Sequence, residues 1–272
     1  MNTSFALCDR DVLNLLRLSL QINGLTPLSG IIAVFIGGIV GFLINYFSDV
    51  LPIYRRIIRP VCKNCGQPYS IKGYLLLFKC TNCGSSFSNR SILVIIGSII
   101  SCLLLVLFPF STLGFWAALP VMIFLGVIVV IDIEHRIVVF QTSVFGFVLF
   151  FIYGIILNNL STTLWGAVAG FFIMLMFFLL GKTFARIAGN MRGQQIDEVA
   201  FGFGDVCVGV ILGLLIGWPK VVGAIIVAII LFSVYSIFLL LSLIITKKYH
   251  SFSHAQPFTP FLILGMITLF YL

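Results

Sequence analysis

The sequence predicts an all-α polytopic membrane protein with about eight transmembrane helices. Of its 272 residues, 61% are hydrophobic and 9% are charged, whereas an ordinary soluble domain has about 25% charged residues. So few charges cannot cover the surface of a soluble globule, which excludes a cytosolic enzyme, a secreted disulfide scaffold and a disordered chain. In such a protein the net charge of +8 reflects loop topology, and we expect no nucleic-acid partner.

Eight apolar runs approach the length of about 20 residues that a helix needs to cross a bilayer. They cover 29–48, 91–110, 113–131, 138–157, 161–181, 205–218, 220–246 and 257–272, of which the sixth and the eighth are short. In residues 1–26, charges interrupt any apolar core and no cleavage site follows. This segment therefore predicts an amphipathic interfacial helix rather than a signal peptide.

Lysine and arginine are distributed unevenly over the loops between these spans. Thirteen of the 16 fall in four loops that share one side of the membrane, and three fall on the other side. Positively charged loops stay in the cytoplasm, so both termini are predicted to face outward. The cytoplasmic face also carries Asp49, Asp197 and Glu198, which are either solvated loop charges or acceptors for a basic partner.

Two C-x-x-C pairs lie in the predicted cytoplasmic loop after the first span. Cys62 and Cys65 are separated from Cys80 and Cys83 by fourteen residues, and a glycine follows each pair. Four thiolates at this spacing suit a tetrahedral zinc ion, and the cytoplasm keeps them reduced. The spacing predicts a small zinc-ribbon-like domain between helices 1 and 2, with a structural metal because no coordination position stays open. Two disulfides or unused thiols are the alternative.

Two of the eight acidic residues stand directly against apolar runs. Asp132 follows the third span, and Asp205 opens the sixth after Gly202 and Gly204. An ionisable group at membrane depth is costly and is a candidate functional residue, and the topology puts both at cytoplasmic helix ends, where they can meet. Two carboxyls that share a site can divide acid and base roles, as in aspartic proteases, and the glycines leave room for substrate backbone. Alternatively, both acids are interfacial caps.

Taken in order, these motifs resemble the type IV prepilin peptidases, which are membrane aspartic proteases of the G-x-G-D type. The resemblance covers 27–272 and also includes a glycine-rich first span that ends in Leu51-Pro52, and Pro257-Phe258-Thr259-Pro260-Phe261-Leu262 where the family has P-F-G-P-F-L. On this basis we divide the chain into an N-terminal interfacial segment (1–26), a first transmembrane helix (27–50), a cytoplasmic zinc-binding domain (51–90) and a membrane aspartic peptidase core (91–272).

The resemblance implies an activity, partners and a location. Such enzymes cut the basic leader from prepilin or pseudopilin substrates at the cytoplasmic face of the bacterial inner membrane, so Asp132 and Asp205 would be the catalytic pair. Family members with the cysteine domain generally also methylate the new amino terminus with S-adenosylmethionine. Membrane lipid is the other expected partner.

The chain departs from the family pattern at several polar positions. Cys207 stands where the family usually has Lys, Glu134 replaces an Asp, and Val139-Phe140 replaces a Pro-Asp. The R-Y-x-x-V-E run that follows the cysteines in the family is replaced by Asn89-Arg90-Ser91-Ile92-Leu93-Val94-Ile95. Two other interpretations remain open, a catalytically inactive zinc-bearing membrane scaffold and a proton-coupled transporter that uses the two aspartates as a relay.

Overall fold

The computed structural model describes the apolar runs and parts of the loops between them. The described residues are 27–62, 65–69, 73–74, 79–80, 82–84, 89–110, 113–137, 139–192, 202–246 and 256–271. The predicted interfacial helix at 1–26 and the acids Asp197 and Glu198 lie outside this part of the chain. Within it the regular structure is helical and no strand is found, which confirms the all-α class.

Eight helices follow the eight apolar runs of the sequence. They are α1 (Pro27–Tyr54), α2 (Asn89–Leu107), α3 (Phe115–His135), α4 (Phe140–Leu157), α5 (Leu160–Arg192), α6 (Phe203–Ile216), α7 (Lys220–Thr246) and α8 (Thr259–Tyr271). Six of these described helices, α1 to α5 and α7, are long and apolar enough to cross a membrane. The protein is therefore a multi-pass membrane protein.

The other two helices, α6 and α8, are shorter than a full span. They contain 14 and 13 residues, which corresponds to about 20 Å of helix at 1.5 Å per residue, against a hydrocarbon core of about 30 Å. Apolar helices of this length are typical of buried core elements. Accordingly, ten of the residues of α6 are buried.

The chain forms two compact units, Met1–Val130 and Ile131–Leu272. In the first unit α1 packs along α2. Gly37 and Gly41 make this contact close, because a Cβ atom at either position would meet the backbone of α2 at Ile99 or Ile95. The described part of the cysteine loop follows α1 and leads into α2, so the four cysteines belong to this unit.

In the second unit α6 is the central helix and contacts α4, α5, α7 and α8. Its approach to α5 depends on glycine. A Cβ atom on Gly166 or Gly170 would meet the backbone of Gly213 or Gly209, so the two helices touch backbone to backbone, as small residues four apart allow. This contact fixes the position of α6 and of Asp205 in its first turn.

Both ends of α6 are held by hydrogen bonds that replace the missing intrahelical ones. At the C-terminal end, the Asn158 side-chain amide donates to the Leu215 carbonyl at 3.0 Å, and the Trp218 amide donates to the Thr162 carbonyl at 2.9 Å. At the N-terminal end, the Gly202 amide donates to the Asp205 carboxyl. The helix is therefore anchored at both ends within its own unit.

Candidate active site and metal site

The four cysteines of the loop after α1 converge on one point. Their Sγ atoms all lie within 4.8 Å of one another, and the Cys62–Cys83 and Cys65–Cys80 sulfur distances are both 3.6 Å. A tetrahedral zinc ion with Zn–S bonds of about 2.3 Å holds its sulfurs about 3.8 Å apart. None of the four forms a disulfide bond, so the disulfide alternative is not adopted and the cluster can hold a metal ion.

Each cysteine pair is built on the same turn. The Gly66 amide donates to the Cys62 carbonyl, and the Gly84 amide donates to the Cys80 carbonyl, both at 2.9 Å. The two glycines have φ angles of +70° and +68°, a conformation that side-chain-bearing residues rarely adopt. The glycine after each pair, noted in the sequence, therefore lets the turn close and directs both sulfurs to the same side.

Without metal, the Cys65 thiol holds its proton. A hydrogen bond with the backbone of Gln67 lowers the pKa of the Cys65 thiol, but burial and the other three thiols outweigh it and raise the pKa to about 11. A cation bound by the cysteines replaces thiol protons, so metal binding releases protons and weakens as the pH falls.

A polar network links the cysteine loop to α1 and α2. Arg90 donates to one oxygen of Asp49 at 2.8 Å and the Tyr74 hydroxyl donates to the other at 2.9 Å, while the Asn45 amide donates to the Ser91 carbonyl at 2.9 Å. Burial and the negative charge of Asp49 raise the pKa of Tyr74, so its hydroxyl stays a donor. The side chains of Asp49 and Arg90 are each 17% exposed, and the charge of Asp49 is therefore already paired.

Asp205 lies in the first turn of α6 and is 8% exposed. One carboxyl oxygen, Oδ2, accepts the Gly202 amide at 3.0 Å, and the other, Oδ1, accepts the Thr259 hydroxyl at 3.1 Å. Because Gly202 is the N-cap residue of α6, the first bond is a capping interaction of the kind expected from the sequence. The second bond is not a cap and joins Asp205 to the first residue of α8.

Asp132 lies near the C-terminal end of α3 and is 7% exposed. The hydroxyl and the backbone amide of Thr259 face its carboxyl group, and its charge acts on Asp205. Thr259 therefore stands between the two carboxyls. The Oδ2 atom of Asp132 is buried and has no hydrogen-bond partner among the described residues. A buried polar atom of this kind requires an explanation such as a bound water or a substrate group.

The packing of the described residues does not require a glycine at Gly202. Its φ angle of −83° is ordinary, and a Cβ atom there would lie 3.8 Å from the Gly204 amide nitrogen and 3.9 Å from Oδ2 of Asp205, which are normal van der Waals distances. Gly202 is also exposed and Gly204 half-buried. Among the described residues, none lies closer than van der Waals distance to a Cβ atom at Gly202, beside the Asp205 carboxyl.

Glu134 and Cys207, the two departures from the family pattern that are close in sequence to the aspartates, make no described contact with Asp132, Asp205 or Thr259. The Glu134 carboxyl is 3.9 Å from the His135 ring, just beyond Asp132 on α3. Cys207 is half-buried on α6. The sequence drew attention to both positions but passed over Thr259, where the departure of Thr from the glycine of P-F-G-P-F-L was the available signal.

Comparison with known families finds a match over residues 119–237, to the model described as the type IV leader peptidase family. This segment, which is less than half of the 272 residues, is similar to the type IV leader peptidase family. The matched segment contains Asp132, Gly202, Gly204 and Asp205, and it confirms the resemblance drawn from the motifs. It does not extend to the four cysteines or to Thr259. No curated protein and no solved structure matches the chain.

Proposed function

We propose that this protein cleaves the basic leader from type IV prepilin-like proteins, with Asp132 and Asp205 as its catalytic dyad. The observation that carries the proposal is the cluster in which two buried carboxyls from α3 and α6 share Thr259 as a neighbour. We place the reaction at the cytoplasmic face of the bacterial inner membrane, because the excess of lysine and arginine assigns these helix ends to that side.

The chemistry requires the two carboxyls to act in different protonation states. One carboxylate removes a proton from water while the water oxygen attacks the scissile carbonyl carbon, and the protonated partner donates to the carbonyl oxygen. Collapse of the tetrahedral intermediate breaks the C–N bond, and the departing nitrogen takes up a proton and becomes the new amino terminus. The buried Oδ2 of Asp132 has no hydrogen-bond partner among the described residues, so this oxygen of the dyad is available to the water or to the substrate carbonyl.

A glycine beside the Asp205 carboxyl suits a peptide in extended conformation. A substrate backbone that reaches a buried carboxyl must come close to the protein backbone, and a side chain would block this. Since the fold itself would accept a Cβ atom at Gly202, the advantage of glycine there lies in what approaches from outside. The basic leader would meet acidic groups at 197–198 rather than Asp49, whose charge is paired with Arg90.

We also propose that the four-cysteine cluster holds one structural zinc ion. Cys62, Cys65, Cys80 and Cys83 would supply all four ligands, and zinc would supply a rigid cross-link to a loop with little regular structure. Two sulfur–sulfur distances of 3.6 Å support this choice of metal. No step of peptide cleavage passes through this ion, because a site with four cysteine ligands leaves no open coordination position.

Methylation with S-adenosylmethionine is implied by the family resemblance alone. Arg90 and Val94 match the R-Y-x-x-V-E run of the family, but Ser91 stands in place of its Tyr and Ile95 in place of its Glu. Ile95 has no polar atom to offer where the run has a carboxylate, so we derive no methyl-transfer step for this chain.

Co-expression with a prepilin substrate tests the proposed cleavage. Wild type, Asp132→Asn and Asp205→Asn would be compared by the mobility and the N-terminal sequence of the substrate. Both variants should leave cleavage near background, because neither carboxyl can do the work of the other. Glu134→Gln is the matched control, since it removes one negative charge at the same end of α3 and should retain cleavage.

The same experiment separates the proposal from the scaffold interpretation. An inactive scaffold would leave the prepilin uncut by the wild type as well, and would tolerate Asn at both positions without any change in its membrane fold. Wild-type cleavage by either Asp→Asn variant would refute the dyad directly.

A further inference from the structure

Thr259 occupies a position that no motif assigns to it. Its side chain is fully buried, with 0% exposure, and its hydroxyl donates to Oδ1 of Asp205 at 3.1 Å. Its hydroxyl and backbone amide also face the carboxyl of Asp132. A residue at the first position of α8 therefore stands against both carboxyls, which come from two other helices.

The turn that carries Thr259 is held firmly. The ring of Phe258 packs edge-on against Phe232 of α7 at a centroid distance of 5.3 Å, and Phe261 packs against the same ring at 5.3 Å. The Phe258 carbonyl accepts the amides of Phe261 and Leu262 at 3.0 and 3.3 Å, which closes the first turn of α8. The Thr259 hydroxyl is thus delivered by a fixed backbone rather than by a mobile loop.

The contact of α8 with α7 restricts it further. A Cβ atom on Gly265 would lie 3.0 Å from the Ala228 amide nitrogen and even closer to the Ala224 carbonyl, so the two helices touch at the backbone. Since α8 cannot slide along α7 without breaking this contact, the distance from Thr259 to the Asp205 carboxyl is set by backbone packing.

We propose that Thr259 is a positioning residue for the dyad, an inference that rests on the proposed peptidase function. Its hydroxyl fixes the rotamer of Asp205, so that one oxygen is held by the α6 cap and the other is turned toward Asp132. Two donors from two different elements leave the carboxyl no freedom to rotate about its χ2 torsion. The family motif has glycine at this position. A glycine offers the carboxyls only its backbone amide, whereas Thr259 of this chain offers a side-chain hydroxyl as a second donor.

The test compares side chains that differ in the hydroxyl alone. Thr259→Val keeps the shape and removes the donor, whereas Thr259→Ser keeps the donor. Thr163→Val is the matched control, because Thr163 is also 0% exposed in the same unit and its hydroxyl has no hydrogen-bond partner among the described residues. Purified proteins would be assayed with a prepilin substrate for kcat and KM separately, and for the midpoint of thermal unfolding.

We expect Thr259→Val to lower kcat by about 10- to 100-fold, since misplacement of a reacting group by about 1 Å can cost roughly 10²-fold. KM should stay within about twofold, because the hydroxyl touches the carboxyl and not the substrate. Thr259→Ser should retain kcat within about threefold, and Thr163→Val should behave as wild type. If Thr259→Val does not fold, Thr259→Ser and Thr259→Ala carry the same comparison, since they too differ by one hydroxyl.

Three results would overturn the inference. They are a wild-type kcat for Thr259→Val, an equal loss for the Ser and Val variants, and a loss that appears in KM or in thermal stability alone. Asp205→Asn measured in parallel distinguishes the two levels of the argument. If Asp205→Asn cleaves normally, the proposed function fails, and if Asp205→Asn is inactive while Thr259→Val is normal, the positioning role alone fails.

Discussion

Replacement of Gly213 by alanine should separate α5 from α6 and weaken the whole second unit. A Cβ atom at Gly213 would meet the carbonyl group of Gly166, with its carbon 2.8 Å away, and the Ala167 amide nitrogen at 3.1 Å. All of these are backbone atoms, so no side-chain rotamer can move to relieve the clash. The helices themselves must separate.

The size of the effect follows from these distances. Ordinary contacts between carbon atoms lie at about 3.5–4.0 Å, so the backbones must separate by about 0.7 Å or more. Overpacking of this kind costs about 1–3 kcal/mol, and because the obstacle is backbone we expect about 2–3 kcal/mol. At roughly 2–4 °C per kcal/mol for a domain of this size, the unfolding midpoint should fall by about 4–12 °C. Cleavage should fall too, since Asp205 moves with α6.

The assay is thermal unfolding of the purified protein in one detergent, followed by its intrinsic fluorescence. Gly97→Ala is the matched control, because a Cβ atom at Gly97 has nothing within 4 Å and the same substitution in a helix is otherwise favourable. Gly166→Ala combined with Gly213→Ala should cost less than the sum of the single changes, since one separation of the helices relieves both clashes. If Gly213→Ala unfolds at the wild-type temperature, the backbone contact described above is not formed.

Three further outcomes are expected. Metal analysis of the purified protein should give about one zinc per chain, and Cys62→Ser with Cys80→Ser should abolish it; a folded wild type that contains no metal would contradict the site. Arg90→Leu should cost about 2–3 kcal/mol because it removes the cation beside the half-buried Asp49 carboxylate, and adding Asp49→Asn should recover part of this stability; equal losses in the single and double variants would exclude the pairing. Gly202→Ala should keep the wild-type unfolding midpoint but lose most leader cleavage, and full cleavage by this variant would show that substrate does not approach from that side.

The sequence predicted the helices well because most apolar runs are long and are bounded by charged or turn residues. The short run at 205–218 predicted the 14-residue length of α6 but placed it two residues too late, and the run at 257–272 extends beyond the 13 residues of α8. Positive φ at Gly217 ends α6, and this depends on contacts with Asn158 and Thr162 that are remote in the chain.

In the candidate sites, the sequence indicated the main residues but not their hydrogen-bond partners. The spacing of the cysteines predicts the four-cysteine cluster because the motif is local, and the two aspartates are conspicuous because acids are rare in this chain. The partners of these groups are set by tertiary packing. Nothing in the local sequence of Asp49 points to Arg90 or Tyr74, and a threonine at the start of an apolar helix is too common to be singled out as a neighbour of Asp205.

The shortness of α6 has a consequence for how the protein is made. A 14-residue helix with an acidic residue in its first turn has too little apolar length to enter a bilayer stably by itself. Its glycine-lined face gains little from lipid, but it gains close van der Waals contact from α5. We therefore expect α6 to enter the membrane together with α5 as a hairpin, so that this element becomes stable during biogenesis only when the helix synthesised before it is already in place.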